Sequence, residues 1–297
     1  AVLGGDSMEA SQRNTMDGTA RAPRGPEERI SVCIICGNEE DNIERCLKSV
    51  MWADEVLVVD SFSTDRTPEI ARRYTPHVVQ QKWLGYIGQK KFIADLAKGP
   101  WILFVDADEE ISPGLREEIE RKFAKPLPAG VHGFDCPRLV SYLGRWIRHG
   151  DWYPDTKLRL FKKAFGECGG KEPHDRIYVT GDVRRLRSPL FHYTYVDIED
   201  QLATINRFST ISARTHDEEG RRISVGGLVF RPVYRFIRGY IFKRGFLDGV
   251  PGLIVAMNVA FGTFSKYAKL WELHHIKRAA SLETDHPPKS RPLPEGG

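Results

Sequence analysis

The fold of this chain is decided by Trp101-Ile102-Leu103-Phe104-Val105-Asp106-Ala107-Asp108-Glu109-Glu110, in which five apolar residues lead directly into an Asp-x-Asp pair. An uninterrupted apolar run of this length is typical of a strand buried on both faces of a parallel sheet. Ligands of open α/β sheets bind just beyond the carboxyl ends of such strands. We therefore expect Asp106 and Asp108 to lie at a ligand site.

The two carboxylates favour a divalent cation. Residues i and i+2 of an extended strand point to the same side, so Asp106 and Asp108 can both face one point. Paired carboxylates suit Mg²⁺ or Mn²⁺, which keep coordination positions for water and for phosphate oxygens. The alternative is two solvated acids in a turn that precedes a helix.

Strand patterns alternate with helix patterns around this motif. The other predicted strands are Ile30–Cys36, Glu55–Asp60 and His77–Gln81, and helices are predicted to begin near Asp41, Thr67, Gln89 and Ser112. This alternation predicts a parallel, nucleotide-binding type of sheet over residues 30–125. Right-handed crossovers bring the loops after these strands to one edge of the sheet. The residues gathered there are Asn38, Glu39, Asp60, Ser61, Asp65, Asp106 and Asp108.

The remainder of the chain has a different pattern. Short strand-like runs rich in aromatic residues, glycine and histidine over residues 130–195 predict mixed or antiparallel strands that complete the sheet. From Asp197 onward the pattern is helical. We expect a disordered leader at 1–28, an α/β domain at 29–195, a helical extension at 196–280 and a mobile tail at 281–297.

Composition limits the class of protein. A chain of 297 residues with 41% hydrophobic and 28% charged residues is typical of a globular protein. Five cysteines without framework spacing indicate reduced thiols and a cytoplasmic location. Cys33-Ile-Ile-Cys36 lies within an apolar strand, which argues against a redox or zinc site. Because no 18 consecutive residues are apolar, the sequence does not predict a bilayer-spanning helix.

Positive charge is concentrated near the C-terminus. The net charge is +4, and residues 221–245 contain seven basic residues and no acidic one. Aromatic residues interleave with them, which suits an interfacial helix on an anionic leaflet. The alternatives are a helical appendage packed on the core and a nucleic-acid patch. We expect no nucleic-acid partner, since no RNP, zinc-finger or helix-turn-helix pattern is present.

Several motifs together resemble glycosyltransferase family 2, which has the GT-A fold, and in particular the branch of glucosyl- and heptosyl-type transferases that adds sugars to the lipopolysaccharide inner core. The likeness covers about residues 30–273. The stretches that carry it are Ile30 to Glu40, Trp52 to Asp65, Gly88-Gln-Lys-Lys91, Asp106-Ala-Asp108, Trp152-Tyr-Pro154, Arg159-Leu-Phe161, Pro173-His-Asp175, Gly245-Phe-Leu-Asp-Gly249 and Lys266 to Glu272. The resemblance implies a mixed α/β sheet flanked by helices, with a helical C-terminal extension.

The resemblance also implies an inverting transfer from a nucleotide sugar, UDP-glucose or a related donor, with Mg²⁺ or Mn²⁺ on Asp106 and Asp108. The residues that it places at the donor are Asn38, Glu39, Asp60, Ser61, Lys90, Asp106, Trp152 and Arg159. Other interpretations stay open for most of these. They are a turn cap for Asp60, a polar turn for Asn38 and Glu39, a surface lysine for Lys90, core packing for Trp152 and a strand-edge charge for Arg159.

Inversion requires a general base that removes a proton from the acceptor hydroxyl. In the resembling branch the base lies in a His-Glu pair, whereas this chain has His174-Asp175. Aspartate is one methylene shorter, which retracts the carboxylate by roughly 1.5 Å. We predict Asp175 as the base, with Glu172 and His174 as the alternatives.

The predicted acceptor is a lipid-linked glycan such as the lipopolysaccharide inner core. We therefore expect a cytoplasmic protein, peripheral on the cytoplasmic face of the bacterial inner membrane, with an anionic membrane surface as partner. One rival is a sugar nucleotidyltransferase, which usually needs a Gly-rich basic loop after the first strand, whereas Cys36-Gly-Asn-Glu-Glu40 is acidic. The other rival is a non-catalytic membrane-associated protein that retains the fold.

Overall fold

The computed structural model describes residues 24–171 and 174–285. These residues form two compact units, one with the described residues through Val140 together with Pro154–Thr194, and one with Ser141–Tyr153 and the residues from Tyr195 onward. The second unit resumes at Tyr195, and its segment Ser141–Tyr153 had no sequence signal. Most of the predicted leader and tail, 1–23 and 286–297, lies outside the described residues.

The strands and helices of the first unit alternate through its N-terminal half. Its strands are β1 (Ile30–Cys36), β2 (Glu55–Asp60), β3 (Val78–Gln80), β4 (Trp101–Asp106), β5 (Glu109–Ile111), β6 (Val131–Tyr142), β8 (Asp155–Lys162), β9 (Gly166–Lys171), β10 (His174–Val179), β11 (Asp182–Arg185) and β12 (Leu190–His192). Strand β6 ends in the second unit, and β7 (Arg145–Ile147) belongs to that unit. The helices are α1 (Ile43–Val50), α2 (Thr67–Arg72), α3 (Gly85–Leu96) and α4 (Pro113–Phe123).

The main sheet has the strand order β3-β2-β1-β4-β8-β6-β12-β5. Strands β1 to β4 run parallel, and β8 joins β4 in antiparallel orientation. In this register Cys36 lies opposite Asp60, and Ile35 lies opposite Asp106. The predicted mixed α/β sheet flanked by helices is therefore confirmed, and the parallel strands end at a common edge.

Burial explains why these segments form the centre of the sheet. All seven residues of β1 are buried, as expected for a strand covered on both faces. Helix α1 buries Ile43, Leu47 and Val50 at helical spacing against this sheet. Helix α4 begins where Ser112 accepts a hydrogen bond from the Leu115 N–H at 3.1 Å. The predicted positions of β1, β2 and β4 and the start of α4 are thus correct.

The second unit is built on three helices, α5 (Ile198–Glu218), α6 (Val225–Ile237) and α7 (Gly249–Asp285). A π-helical turn at Arg238–Phe242 and a 3-10 turn at Gly245–Asp248 connect α6 to α7. Both α5 and α6 pack along α7. The helical character predicted from Asp197 onward is confirmed, and the Asp197 carboxylate caps α5 by accepting from the Asp200 N–H at 2.8 Å.

Helix α7 bears on the expectation of no bilayer-spanning helix. The helical segment Gly245–Ile276 is long and apolar enough, by length and composition alone, to cross a membrane, and 28% of its most apolar window is buried. The sequence criterion missed it because polar residues such as Asn258 and Thr263 interrupt the apolar run. Since the core helix of a soluble protein satisfies the same criterion, this observation does not establish a membrane span.

The end of the predicted leader is structured. Residues Pro26–Glu28 form a 3-10 turn, and Arg24 is buried. Its guanidinium pairs with the Asp54 carboxylate at 2.6 Å. A paired, buried arginine fixes the chain here, so order begins before Ile30, where the sequence pattern first becomes regular.

Candidate active site

The loops that follow β1 and β2 are joined by hydrogen bonds at the carboxyl edge of the sheet. The Asn38 N–H donates to Ser63 Oγ at 2.8 Å, and Asn38 Oδ1 accepts from the Thr64 N–H at 2.8 Å. Asn38 has a positive φ of 56°, a conformation that asparagine tolerates better than most residues. The Glu39 N–H donates to Thr67 Oγ1 at 2.8 Å. The predicted grouping of these loops at one edge is therefore present.

Asp60 is fully buried at the end of β2. Its carboxylate accepts hydrogen bonds from the Ser63 backbone and hydroxyl and from Gln80 Nε2, the last at 3.1 Å. These contacts are those of a turn cap, the interpretation that the sequence left open. Contact between Asp60 and a nucleoside stays a prediction.

Ser61 is hydrogen-bonded to a residue, Gln89, that the sequence did not single out. Its hydroxyl accepts from Gln89 Nε2 at 3.0 Å, and Gln89 is fully buried on α3. The other amide atom of Gln89, Oε1, is buried without a hydrogen-bond partner among the described residues. An unpaired buried acceptor of this kind is energetically costly.

Asp106 at the end of β4 lies between two cations. Its Oδ2 is 2.5 Å from the Arg159 guanidinium, and its Oδ1 is 3.4 Å from the Lys90 ammonium. Burial would raise the pKa of Asp106, but Arg159 and Lys90 outweigh it and hold the pKa well below its ordinary value. Asp106 is therefore a firmly ionised group whose two oxygens both face protein cations.

Arg159 is buried on β8 and joins two acids. The same guanidinium nitrogen that contacts Asp106 also lies 2.5 Å from Glu109 Oε1. Glu109 is fully buried, and its other oxygen accepts from the Asp106 N–H at 3.0 Å. Arg159 thus holds the turn of the Asp-x-Asp motif in place, and it is not a strand-edge charge. The sequence did not assign Glu109 to the site, although it directly follows the motif.

Asp108 lies in the turn after β4 and not on the strand itself. Its Oδ2 is 3.0 Å from His192 Nε2. This contact arises because β5 pairs with β12 in antiparallel register, with Glu109 opposite His192. The expectation that two strand residues present both carboxylates side by side is thus incorrect for Asp108. His192 had no signal in the sequence because strand pairing alone brings it here.

The donor atoms at Asp108 fit Mg²⁺ or Mn²⁺. Within residues 24–171 and 174–285, no three His, Cys, Asp or Glu side chains are close enough to hold an ion by themselves. A cation would rest on the Asp108 carboxylate and His192 Nε2 and take its other ligands from water and donor phosphates, which is usual for Mg²⁺. Burial raises the pKa of Glu39, and Asp108, Asp65 and Asp106 raise it further against a hydrogen bond from Asn42. This excess of negative charge favours a cation. Direct ligation by Asp106 stays a prediction.

The predicted base also lies in this region. Asp175 on β10 accepts a hydrogen bond from Lys90 Nζ at 2.7 Å, and Lys90 is 3% exposed. Lys90 is therefore a buried cation and not a surface lysine. His174 begins β10, and Glu172 lies outside the described residues. The roles of Asp175, His174 and Glu172 all remain predictions.

Trp152 belongs to the second unit. Its ring lies 5.2 Å from that of Tyr142 and 5.7 Å from that of Tyr195, measured between centroids, within an apolar cluster that includes Ile147 and Val255. These contacts are those of core packing, the second interpretation that the sequence allowed. A role for Trp152 at the donor stays a prediction.

Comparisons with known proteins identify the family of this chain. Residues 31–179 match the model of glycosyl transferase family 2. An uncharacterized glycosyltransferase of Rickettsia bellii (strain RML369-C) is 34% identical over 257 residues, which cover 83% of this chain and 87% of the relative. The lipopolysaccharide core biosynthesis glycosyltransferase LpsC of Rhizobium meliloti (strain 1021) is 28% identical over 265 residues, which cover 87% and 97%.

Among solved structures, the mannosyltransferase PcManGT from Pyrobaculum calidifontis, in complex with GDP-Man and Mn²⁺, is 16% identical with a TM-score of 0.45. The match covers 90% of this chain and 85% of that chain. The family match and the Rickettsia relative show that this protein is a glycosyltransferase. It belongs to glycosyltransferase family 2, as its motifs predicted.

Proposed function

We propose that this enzyme transfers a hexose, with inversion, from UDP-glucose or a related nucleotide sugar to a lipid-linked glycan of the lipopolysaccharide inner-core type. The observation that carries the proposal is the position of Lys90, a buried cation in contact with both Asp106 of the Asp-x-Asp motif and Asp175. Lys90 thus lies between the predicted base and the Asp-x-Asp motif, which supports the proposal.

The chemistry needs a base and stabilisation of a leaving group. The acceptor hydroxyl oxygen attacks the anomeric carbon, its proton passes to an Asp175 oxygen, and the bond from the anomeric carbon to the diphosphate oxygen breaks with its electron pair. Lys90 holds one carboxylate oxygen of Asp175 in place, and the other oxygen accepts the proton. Lys90 also places positive charge next to Asp106, where the departing diphosphate gains negative charge.

A divalent cation, when bound to Asp108 and His192, supplies further neutralisation of the leaving diphosphate. The protein side of this arrangement is rigid. Arg159 and Glu109 fix the turn that carries Asp108, and the pairing of β5 with β12 fixes His192. A preorganised site of this kind avoids the energetic cost of ordering charged groups during the reaction.

The lipid-linked acceptor is supported by the surface of the second unit. None of the residues of α6 is buried, although most of them are apolar. On α7, a stripe of exposed apolar residues recurs at helical spacing. Its members are Val250, Leu253, Met257, Phe261, Phe264 and Trp271. A stripe of this length extends about 32 Å along the helix.

Exposed apolar surface of this extent marks an interaction site. Together with the basic residues of 221–245, it supports a position on an anionic membrane, which we assign to the cytoplasmic face of the inner membrane. The name of the relative LpsC, a lipopolysaccharide core biosynthesis glycosyltransferase, is the support for the inner core as acceptor.

A donor screen tests the proposal. Saturation-transfer NMR over UDP-, GDP- and nucleoside monophosphate-linked sugars identifies the bound donor, and release of the nucleoside diphosphate with and without lipid acceptor measures transfer. We expect binding of a UDP-hexose and acceptor-dependent release of UDP. Release of pyrophosphate from a sugar phosphate and a nucleoside triphosphate would instead indicate a nucleotidyltransferase, and the absence of donor binding would indicate a non-catalytic protein.

A further inference from the structure

The second unit contains a groove that the sugar-transfer chemistry does not use. This groove, here called the α6–α7 groove, has a volume of about 580 Å³. Its lining comprises three cationic residues, three aromatic residues and one hydroxyl, with no acid. These residues are Arg231, Arg235, Lys266, Phe230, Tyr234, Tyr267 and Thr263.

Two of the cations converge on one aromatic ring. The Arg231 guanidinium donates to Tyr267 Oη at 2.5 Å and lies 4.7 Å from the ring centroid. Lys266 Nζ lies 4.5 Å from the same centroid. Within the described part of the chain, neither cation is within ion-pair distance of a carboxylate, whereas Arg235 is 3.4 Å from Asp151. Arg231 and Lys266 therefore keep their charge uncompensated.

The same excess of positive charge affects the pKa of a neighbouring histidine, His216. Burial lowers the pKa of His216, and the charges of Lys266, Arg221 and Arg231 lower it further against the opposing effect of Glu219. The Nδ1 atom of His216 is buried without a hydrogen-bond partner among the described residues. An anion in the groove would relieve this repulsion.

The rim of the groove is apolar and open to solvent. Phe230 is 73% exposed and Tyr234 is 58% exposed, while Val229 and Val233 are exposed on the same helix. Cations inside a groove and apolar side chains on its rim match an amphiphile, whose phosphate and hydrocarbon parts meet at the membrane interface.

We propose that the α6–α7 groove binds the phosphate-bearing headgroup of an anionic membrane lipid, with Arg231 and Lys266 on the phosphate and with Phe230 and Tyr234 in the interfacial layer. The inference rests on the membrane location in the proposed function. It assigns lipid binding to one defined site and not to the whole basic surface of residues 221–245. The guanidinium fork of Arg231 and the point charge of Lys266 are both established kinds of phosphate ligand.

The test is co-sedimentation of the full-length enzyme with vesicles of phosphatidylcholine alone and with vesicles that also contain phosphatidylglycerol. The double variant Arg231→Gln/Lys266→Gln should bind the anionic vesicles about 25-fold more weakly, the product of about fivefold for each cation. The matched control is Arg207→Gln/Arg214→Gln, which removes the same charge from exposed positions on α5. Its binding should change by less than about threefold.

Three further measurements complete the test. The charge-preserving variant Arg231→Lys/Lys266→Arg should retain binding, which separates loss of charge from loss of folding. Inorganic phosphate should not compete with anionic vesicles at equal phosphate concentration; effective competition would indicate a free-phosphate site and overturn the lipid assignment. Equal losses in the groove and control variants would overturn the defined site in favour of a diffuse surface.

The remaining outcomes separate this inference from the proposed function. Binding of the nucleotide sugar, measured by saturation-transfer NMR, should be unchanged in the groove variant, so a lack of donor binding by the wild type counts against the proposed function alone. If light scattering shows that the wild-type enzyme is a dimer, and the enzyme does not bind anionic vesicles, a second copy of the chain covers the rim. That result would overturn the lipid site and leave the donor chemistry intact.

Discussion

Lys90 and Asp175 form an ion pair in which the ammonium nitrogen is 2.7 Å from a carboxylate oxygen, and the same ammonium is 3.4 Å from Asp106. Lys90 is almost completely buried, so this contact is shielded from solvent. Through these two contacts Lys90, on α3, links the end of β4 to β10, two strands that are far apart in sequence. The motif at the donor site and the predicted base thus share one cation.

The first prediction concerns Asp175. The substitution Asp175→Asn keeps the shape of the side chain but removes its ability to accept a proton, so kcat for transfer to the lipid acceptor should fall about 100- to 10,000-fold. The KM for the donor should change little, because the base acts on the acceptor. Steady-state transfer at saturating acceptor measures both constants.

Asp182→Asn is the matched control, since Asp182 is an exposed acid of the same unit on β11. It should leave kcat unchanged. Wild-type kcat in the Asp175→Asn variant would assign the base elsewhere, with Glu172 and His174 as the next candidates.

The second prediction concerns Asp106 and acid stability. Its folded-state pKa lies well below the ordinary value of 3.8, because Arg159 and Lys90 outweigh the effect of burial. Between pH 3.8 and the lower folded-state pKa, the unfolded chain takes up a proton at Asp106 while the native state does not. The stability that Asp106 contributes is therefore fully present above pH 3.8 and is lost as the pH falls further.

Urea unfolding across the acid range measures this effect. In Asp106→Asn the slope of the unfolding free energy against pH should be shallower than in the wild type by about 1.4 kcal/mol per pH unit, which corresponds to one proton. Identical slopes for the two proteins would show that Asp106 is not held ionised by its neighbours.

The third prediction concerns the close backbone contact at the start of α7. A Cβ added at Gly252 would lie 2.0 Å from the Gly245 carbonyl oxygen. Since neither backbone segment can yield without displacing its helix, Gly252→Ala should destabilise the second unit by about 1–3 kcal/mol. At Gly226 on α6 an added Cβ would meet nothing nearer than 3.9 Å. Gly226→Ala should therefore be neutral or stabilising by up to about 1 kcal/mol.

Chemical denaturation followed by far-UV circular dichroism compares the two alanine variants. Equal stabilities would contradict the close packing of α7 on the preceding turn.

The fourth prediction concerns the five cysteines, all of which are free and buried in the first unit. Burial is the main cause that raises the pKa of Cys136 to about 12 and that of Cys168 to about 11. For Cys168 this means about 100-fold less thiolate than at the ordinary pKa of 9.0. Ellman's reagent at mildly alkaline pH should therefore label the native protein slowly and label five thiols after unfolding. Rapid labelling of the native protein would place a thiol at the surface.

Local patterns predicted the fold well where burial is uniform. The apolar runs that became β1, β2 and β4 needed no knowledge of their partners, because a strand covered on both faces is apolar throughout. The segment Ser141–Tyr153 lies in the second unit, and no local pattern indicated this. Its place is set by contacts such as that of Tyr142 with Gln201, which are 59 residues apart in sequence.

In the candidate site, the residues placed by local patterns were predicted, and those placed by strand pairing were not. The loops of Asn38, Asp60 and Asp106 were predicted, since the carboxyl ends of parallel strands meet at one edge. His192 was missed because its contact with Asp108 depends on the antiparallel pairing of β5 with β12, two three-residue strands without a periodic signal. Glu109 was missed because its partner Arg159 lies on β8, 50 residues away in sequence. Arg159 was named, but its buried bridge between two acids required the register of β8 against β4.

The most direct test of the account is the Mn²⁺ dependence of UDP release from UDP-glucose, or from the donor that the screen identifies. Asp108 and His192 lie 3.0 Å apart at the site proposed for the cation. The concentration of Mn²⁺ that gives half-maximal rate should rise at least about tenfold in both Asp108→Asn and His192→Ala, and it should be unchanged in Asp182→Asn. A wild-type Mn²⁺ dependence in both site variants would contradict the account, because the cation and the departing diphosphate would then be held elsewhere.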